Sequence, residues 1–203
     1  MPARTHERRT QAQRSASTRE ALLDATIESL VEEGYAATTT TRVTERAGVS
    51  RGAHLHHFQT RHALLSAAVE RLSRRRHEEL LAVADDLPPG RAGVAEGLDL
   101  LWAGYANPLF QGALSLWAHA RTDPELRSHL EEVERDLDRQ TLVIARRLFP
   151  EAARREDFPR LVEMAAATMR GLSLLDTLHP GSTRNARQWR FCREHLTDLL
   201  SAP

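Results

Sequence analysis

Apolar residues recur at helical spacing along most of this chain, in segments that are separated by short polar or proline-containing breaks. The first segment follows Ser17-Thr18-Arg19-Glu20, which has the residue pattern of a helix capping box, and it continues as far as Gly34. No stretch alternates apolar and polar residues in the manner of a half-buried β-strand. The pattern therefore predicts an all-α protein.

The stretch from Thr38 to Leu65 predicts two short helices joined by a tight turn and followed by a third helix. Its apolar residues are spaced so that the two short helices can cross steeply over one small core; these residues are Val43, Ala47, Val49 and Phe58. Gly48 supplies the backbone freedom that the turn needs. This is the pattern of a helix-turn-helix DNA-binding domain, whose second helix, here starting near Ser50, would lie in the major groove.

The rest of the chain also predicts helices. A long helix is expected from Thr60 to about Ala84, and it ends at the break Asp85–Gly90. Later proline-containing breaks predict five further helices, at about 91–105, 109–121, 124–148, 157–178 and 184–201. We therefore expect a disordered basic arm over residues 1–16, a helix-turn-helix domain over 17–65 and a helical body over 66–203.

The chain has no net charge, but its charges are unevenly distributed. Residues 1–76 contain 13 Arg and 8 acidic residues, whereas residues 77–203 contain 15 Arg and 20 acidic residues. A basic front part joined to an acidic body is what a DNA-binding head on a regulatory domain needs. We therefore expect double-stranded DNA to be a partner.

Composition and motif spacing argue against other classes of function. No run of about 18 apolar residues could cross a membrane, and the start lacks an apolar signal core, so we expect a cytoplasmic protein without a membrane partner. No Ser/His/Asp spacing, His-Glu-x-x-His motif or suitable carboxylate pair indicates an enzyme. His54, His56 and His57 have no thiol or carboxylate beside them and Cys192 is alone, so we expect no metal and no cofactor.

Candidate DNA contacts cluster around the two short helices. Arg51, in the first exposed turn, can hold guanine O6 and N7 with its forked guanidinium, while Gly52 and Ala53 are small enough to let the helix approach base edges. Thr39 and Arg61 stand at helix starts, from which they would reach phosphate. The complete predicted set is Thr39, Ser50, Arg51, Gly52, Ala53, Leu55, His56, His57 and Arg61.

The region from Ser17 to Leu72 resembles the N-terminal DNA-binding domain of the TetR family of bacterial transcriptional regulators. The resemblance is carried by Gly34-Tyr35, Thr38-Thr39, Val43, Glu45-Arg46-Ala47-Gly48-Val49-Ser50-Arg51-Gly52, His56-His57-Phe58, Arg61 and Ala63-Leu64-Leu65. It implies a homodimeric repressor of a palindromic operator that is released by a small ligand, with residues 66–203 forming the ligand-binding and dimerisation domain. Family members commonly have a Leu-Tyr pair where this chain has His54-Leu55, so the sequence leaves open which of these two residues faces DNA.

Aromatic residues in the first two body helices predict a cavity for an apolar or amphipathic small molecule. The predicted ligand-binding residues are Trp102, Tyr105, Phe110, Trp117, His119, Met169 and Leu172. The alternative is that these rings simply fill the core.

The last two helices each have an apolar face that could pair with its symmetry mate in a four-helix bundle, as the family resemblance also implies. The predicted dimer residues are Leu161, Met164, Ala165, Thr168, Leu175, Trp189, Cys192, Leu196 and Leu199. The alternative for this face is an ordinary intramolecular core. For the whole chain, the alternatives to a repressor are an activator and a DNA-binding protein without sequence preference.

Overall fold

The computed structural model describes residues 10–202 of the 203-residue chain. The regular elements of these residues are nine α-helices and two short 3-10 turns. The helices are α1 (Gln11–Ala37), α2 (Thr40–Ala47), α3 (Arg51–His57), α4 (Arg61–Val83), α5 (Gly90–Tyr105), α6 (Pro108–Ala120), α7 (Pro124–Leu148), α8 (Phe158–Leu178) and α9 (Thr183–Ser201). The all-α prediction is confirmed, and each end of the five predicted body helices lies within one residue of the observed end.

Helix α1 begins earlier than the sequence pattern predicted. Thr10 Oγ1 accepts a hydrogen bond from the Gln13 amide at 3.2 Å, and the Gln13 side chain accepts one from the Thr10 amide at 2.8 Å. This capping box satisfies two amides that no helical carbonyl can reach, so Ser17 to Glu20 lie inside the helix. The predicted disordered arm is therefore wrong for residues 10–16, and its residues 1–9 lie outside the described part of the chain.

Helices α1 to α3 and the first turns of α4 form a small head. Gly34 has a φ of 77°, which interrupts α1 and turns the chain toward α2. The head core contains Leu22, Leu23, Val43, Phe58 and Leu64, all nearly inaccessible to solvent. Ala47 and Val49 pack against this core, as their spacing predicted.

The head is continuous with the body. A second hydrophobic cluster joins Leu30 and Tyr35 of α1 and Leu65 of α4 to Leu116 of α6 and Leu126 of α7. The boundary predicted at residue 65 thus falls inside both a helix and a packed cluster. A movement of α6 or α7 would act on α1 and α4 through this cluster, because close-packed interiors transmit displacement.

A third cluster fills the far end of the body, where the end of α4 meets α5, α7, α8 and α9. Its largest buried side chains include Leu98, Phe149, Phe158, Met169 and Trp189. In residues 10–202, no helix is both long enough and apolar enough to cross a membrane.

Candidate DNA-binding surface and ligand cavity

The recognition helix α3 is short, and both of its ends are fixed locally. Ser50 Oγ accepts a hydrogen bond from the Ala53 amide at 3.2 Å, which caps the start of the helix. Before it, Gly48 adopts a left-handed conformation with a φ of 64°, and the Val49 amide donates to the Thr44 carbonyl at 3.0 Å. The Gly48 turn therefore sets the angle between α2 and α3.

The outer face of α3 carries most of the predicted base contacts. Arg51, Gly52, Leu55 and His56 are exposed, and the Leu55 side chain retains 51% of its accessible surface. Ala53 and His57 are half-buried. Thr39 and Ser50 are exposed N-caps of α2 and α3, as predicted, so both helix starts are open to an anion.

His54 points into the head, which answers the question left by the sequence. Its side chain is 2% exposed, its ring centroid lies 6.4 Å from that of Phe58, and its Nε2 has no hydrogen-bond partner among the described residues. Burial lowers the pKa of His54, and the neighbouring Arg51 lowers it further. His54 is therefore a neutral core residue, and Leu55 is the one that faces outward.

Arg61 makes contacts within the head that its sequence position did not predict. Its Nε donates to the Thr38 carbonyl at 2.8 Å, a terminal nitrogen donates to the Tyr35 carbonyl, and its guanidinium lies 4.1 Å from the centre of the Tyr35 ring. These bonds satisfy carbonyls at the end of α1. The predicted phosphate contact does not fit this geometry, because the guanidinium instead holds the chain that leads into α2.

A polar link joins this part of the head to the start of α7. The Tyr35 hydroxyl donates to Asp123 Oδ2 at 3.2 Å, and His62 Nε2 lies 3.1 Å from the same oxygen. Asp123 also caps α7 by accepting from the Leu126 amide at 3.0 Å. That backbone bond is the largest cause of the lowered pKa of Asp123, and the bonds from Tyr35 and His62 add to it, whereas burial raises the pKa of Tyr35.

A cavity of about 640 Å³ lies between the head and the body. It is lined by parts of α1, α4, α5, α6 and α7 and by Arg170 of α8. Of the predicted ligand residues, Tyr105, Phe110 and Trp117 line it. The volume lies within the range of small-molecule sites, which is roughly 300 to 1,000 Å³.

The other four predicted ligand residues do not line this cavity. Trp102 stacks on Trp189 with ring centroids 4.8 Å apart, and Met169 and Leu172 are buried in the cluster at the far end of the body. His119 is exposed and lies against the Tyr35 ring. Trp102, Met169 and Leu172 thus pack in the cluster at the far end of the body, as the alternative of core packing predicted, whereas His119 neither lines this cavity nor fills the core.

Comparison with known proteins identifies the chain. A family model described as bacterial regulatory proteins of the tetR family matches residues 22–68, and one described as the C-terminal part of BetI-type transcriptional repressors matches residues 110–201. An HTH-type transcriptional regulator of Mycobacterium tuberculosis is 31% identical over 180 residues, which are 85% of this chain and 89% of that protein. The chain belongs to the TetR family of transcriptional regulators. It is a DNA-binding regulator and not an enzyme.

Solved structures show the same fold as this TetR-family chain. A TetR-family transcriptional regulator from Rhodococcus sp. superposes with a TM-score of 0.70 at 22% identity, over 92% of this chain and all of that one (100%). The multidrug binding protein EbrR, solved in complex with imidazole, superposes with a TM-score of 0.64 at 21% identity, over 91% of this chain and 96% of that one.

The predicted dimer residues of this TetR-family regulator fall into two groups. Met164, Leu175 and Leu199 are exposed, and Leu161, Thr168 and Cys192 are half-buried. Ala165, Trp189 and Leu196 are buried within the chain and belong to its own core, so the interface prediction is wrong for them. The sequence analysis missed three exposed apolar side chains on the same two helices, which are Leu174, Leu178 and Phe191.

Proposed function

We propose that this TetR-family protein is a homodimeric repressor that binds a palindromic operator and leaves it when a small apolar or amphipathic ligand enters the cavity. The observation that carries the proposal is the recognition helix. Its buried side is held by His54 and Phe58, while Arg51, Leu55 and His56 are presented on its outer side. A helix fixed in this way can place side chains against base edges.

The exposed apolar face of α8 and α9 supports the dimer. This face, which we call the C-terminal face, contains Met164, Leu174, Leu175, Leu178, Phe191 and Leu199. Gly171 lies in the middle of α8, where a Cβ atom would meet nothing within 4 Å. A glycine inside an exposed helix costs roughly 1 kcal/mol relative to alanine, and a partner helix that approaches closely would offset that cost.

The position of the cavity supports release by a ligand. Ile27 of α1 and Val69 of α4 line it, and both helices contribute to the head core. A ligand that prefers one placement of these helices would shift the heads by its difference in affinity for the two states. The match to the model of BetI-type transcriptional repressors supports repression, and EbrR, solved in complex with imidazole, has the same fold.

Selection from random DNA tests this function. Purified protein is incubated with a random-sequence duplex pool at about 0.15 M salt, and the retained DNA is sequenced. We expect an inverted repeat whose half-sites are separated by about one helical turn, ~34 to 36 Å, or somewhat more. Retained DNA without a common sequence would contradict the proposal and indicate a general DNA-binding protein.

Two further measurements complete the test of the proposed function. Sedimentation at micromolar concentration should give the mass of two chains, and a monomer would contradict the dimer. Placing the selected repeat upstream of a reporter gene should lower its expression, and a rise would indicate an activator.

A further inference from the structure

The wall of the cavity contains more positive than negative side chains. Four arginines contribute to it, Arg71, Arg75, Arg76 and Arg170, against the three acids Asp24, Glu28 and Glu79. The acids already face arginines: Asp24 lies 2.9 Å from Arg71, and Glu79 lies 3.3 Å from Arg76. Glu28 lies 3.6 Å from Arg46 of the head. The carboxylates of the wall are therefore already paired, and these pairs take up the charges of Arg71 and Arg76 as well.

Arg170 differs from the other arginines of the wall. It reaches across from α8 to Glu134 at 3.2 Å and to Asp138 at 3.4 Å on α7, and neither of these acids lines the cavity. Both ion pairs lie toward solvent, since the Glu134 and Asp138 side chains are 41% and 64% exposed. Arg170 is thus a wall arginine whose two carboxylate partners both lie outside the wall and are partly exposed, so a ligand carboxylate would compete only with ion pairs that solvent weakens.

Tyr105 provides a neutral donor beside this charge. Tyr105 and Arg170 both line the cavity, and burial raises the pKa of the Tyr105 phenol more than the nearby Arg170 lowers it, so the phenol keeps its proton at neutral pH. The Tyr105 ring meets Phe110 edge to face, with centroids 4.7 Å apart. This contact holds the Tyr105 ring against the apolar part of the wall.

The remainder of the wall suits an apolar body. Leu72, Leu101, Phe110, Trp117, Leu137 and Ile144 line the cavity from α4, α5, α6 and α7. An apolar wall with a cation and a neutral donor at one place favours a ligand with one anionic end, because a guanidinium and a hydroxyl both donate to a carboxylate.

We propose that the cavity binds an amphipathic organic carboxylate, with its carboxylate at Arg170 and Tyr105 and its aromatic or aliphatic body along Phe110 and Trp117. This proposal rests on the proposed function in one respect, which is that the cavity is the site where the effector binds. A cationic ligand is disfavoured beside Arg170 by the repulsion of like charges, and a neutral ligand would gain no ionic hydrogen bond from the guanidinium.

Direct binding measurements without DNA test the ligand class. The full-length protein is titrated calorimetrically with naphthoate, naphthamide and naphthylmethylammonium, and separately with decanoate, decanamide and decylammonium. Trp117 provides a second signal, because it is the tryptophan that lines the cavity and a bound ligand should change the tryptophan fluorescence of the protein. We expect at least one carboxylate to bind about tenfold or more tightly than its amide and than its amine.

The position of the carboxylate is tested by variants. Arg170→Gln should weaken binding of the carboxylate about tenfold and leave the amide unchanged, while Tyr105→Phe should weaken the carboxylate by a smaller factor. Arg160→Gln is the matched control, since Arg160 is exposed on the same helix and does not line the cavity. If Arg170→Gln fails to fold, Tyr105→Phe and Arg170→Lys carry the test, and Arg170→Lys should retain most of the preference for the anion.

Several results would overturn the ligand class. These are an amide or amine that binds as tightly as its carboxylate, a carboxylate affinity that Arg170→Gln and Tyr105→Phe do not lower, and the absence of binding by both carboxylates at about 1 mM. Failure of the proposed function would look different, because operator selection is performed without ligand and these titrations are performed without DNA. Naphthoate and decanoate also distinguish an aromatic acid from a fatty acid.

Discussion

The inward position of His54 makes a specific prediction about pH and stability. A histidine kept neutral in the folded head has a lower pKa there than in the unfolded chain, where the ordinary value is 6.5. As the pH falls below 6.5, the unfolded chain binds a proton that the folded head excludes. The stability contributed by the neutral ring is therefore fully present above that pH and decreases toward the lower folded pKa.

The size of this effect has an upper limit. If the folded head excluded the proton completely, the free energy of unfolding would be lower by about 1.4 kcal/mol at about pH 5.5 than at about pH 7.5. Replacement of His54 by Leu removes the titrating group and also the Nε2 atom that lacks a partner in the described structure. At about pH 7.5 we therefore expect His54→Leu to be more stable than the wild type by about 1 kcal/mol.

Urea unfolding of both proteins at several pH values provides the assay. Protein concentration is held constant, because the stability of a dimer depends on it. The difference between variant and wild type should widen as the pH falls, since all other titrating groups are shared. Leu55→Ala, a change at an exposed neighbour on the same helix that has no titrating group, is the control and should show no such widening. A difference in free energy of unfolding that stays constant between about pH 7.5 and about pH 5.5 would refute the assignment of His54 as a buried neutral residue. A His54→Leu protein that is less stable than the wild type would refute it as well.

Four other changes test separate parts of the structure. Arg51→Ala should relax base preference at one position of each half-site by ~1 to 3 kcal/mol in operator selection, and an unchanged preference would remove Arg51 from the base contacts. Thr39→Ala should instead weaken all duplexes about equally in filter binding, because a phosphate contact carries no sequence information. Leu178→Glu on the C-terminal face should shift the chain toward monomer in sedimentation, whereas Leu81→Glu on α4 should not; a dimer in both would place the interface elsewhere. Asp123→Asn should lose the stability that the lowered pKa of the Asp123 carboxyl contributes above its ordinary value of 3.8. In urea unfolding, the variant should therefore lose less stability than the wild type as the pH falls through the folded pKa of Asp123. The same pH dependence in both proteins would contradict a stabilising role of this carboxylate.

The helices and the DNA-binding motif could be predicted from sequence because their signals are local. Gly48, Ser50 and the apolar spacing of Val43 and Phe58 specify a turn, a cap and a small shared core within about 20 residues. Asp123 with Pro124 specified the start of α7 in the same way. The exception was the start of α1, where two capping sequences lie in succession and the polar residues between them do not show which one is used.

The candidate ligand and dimer surfaces could be predicted only in part, because one apolar helix face looks the same whether it meets a cavity, a core or a partner. Trp102 and Tyr105 lie three residues apart on α5, yet Trp102 stacks on Trp189 and Tyr105 lines the cavity. Nothing in the sequence around Arg76 or Arg170 indicated that both side chains line the same cavity.

The sequence by itself thus determined the all-α fold, the bounds of the body helices and the family, all of which follow from residues close together along the chain. Only the tertiary structure decided that His54 is buried, that Arg61 holds the end of α1 and that Arg170 reaches the cavity. Each of these depends on which helices pack together. Because packing joins residues that are distant in the sequence, it cannot be predicted from the spacing of neighbouring residues.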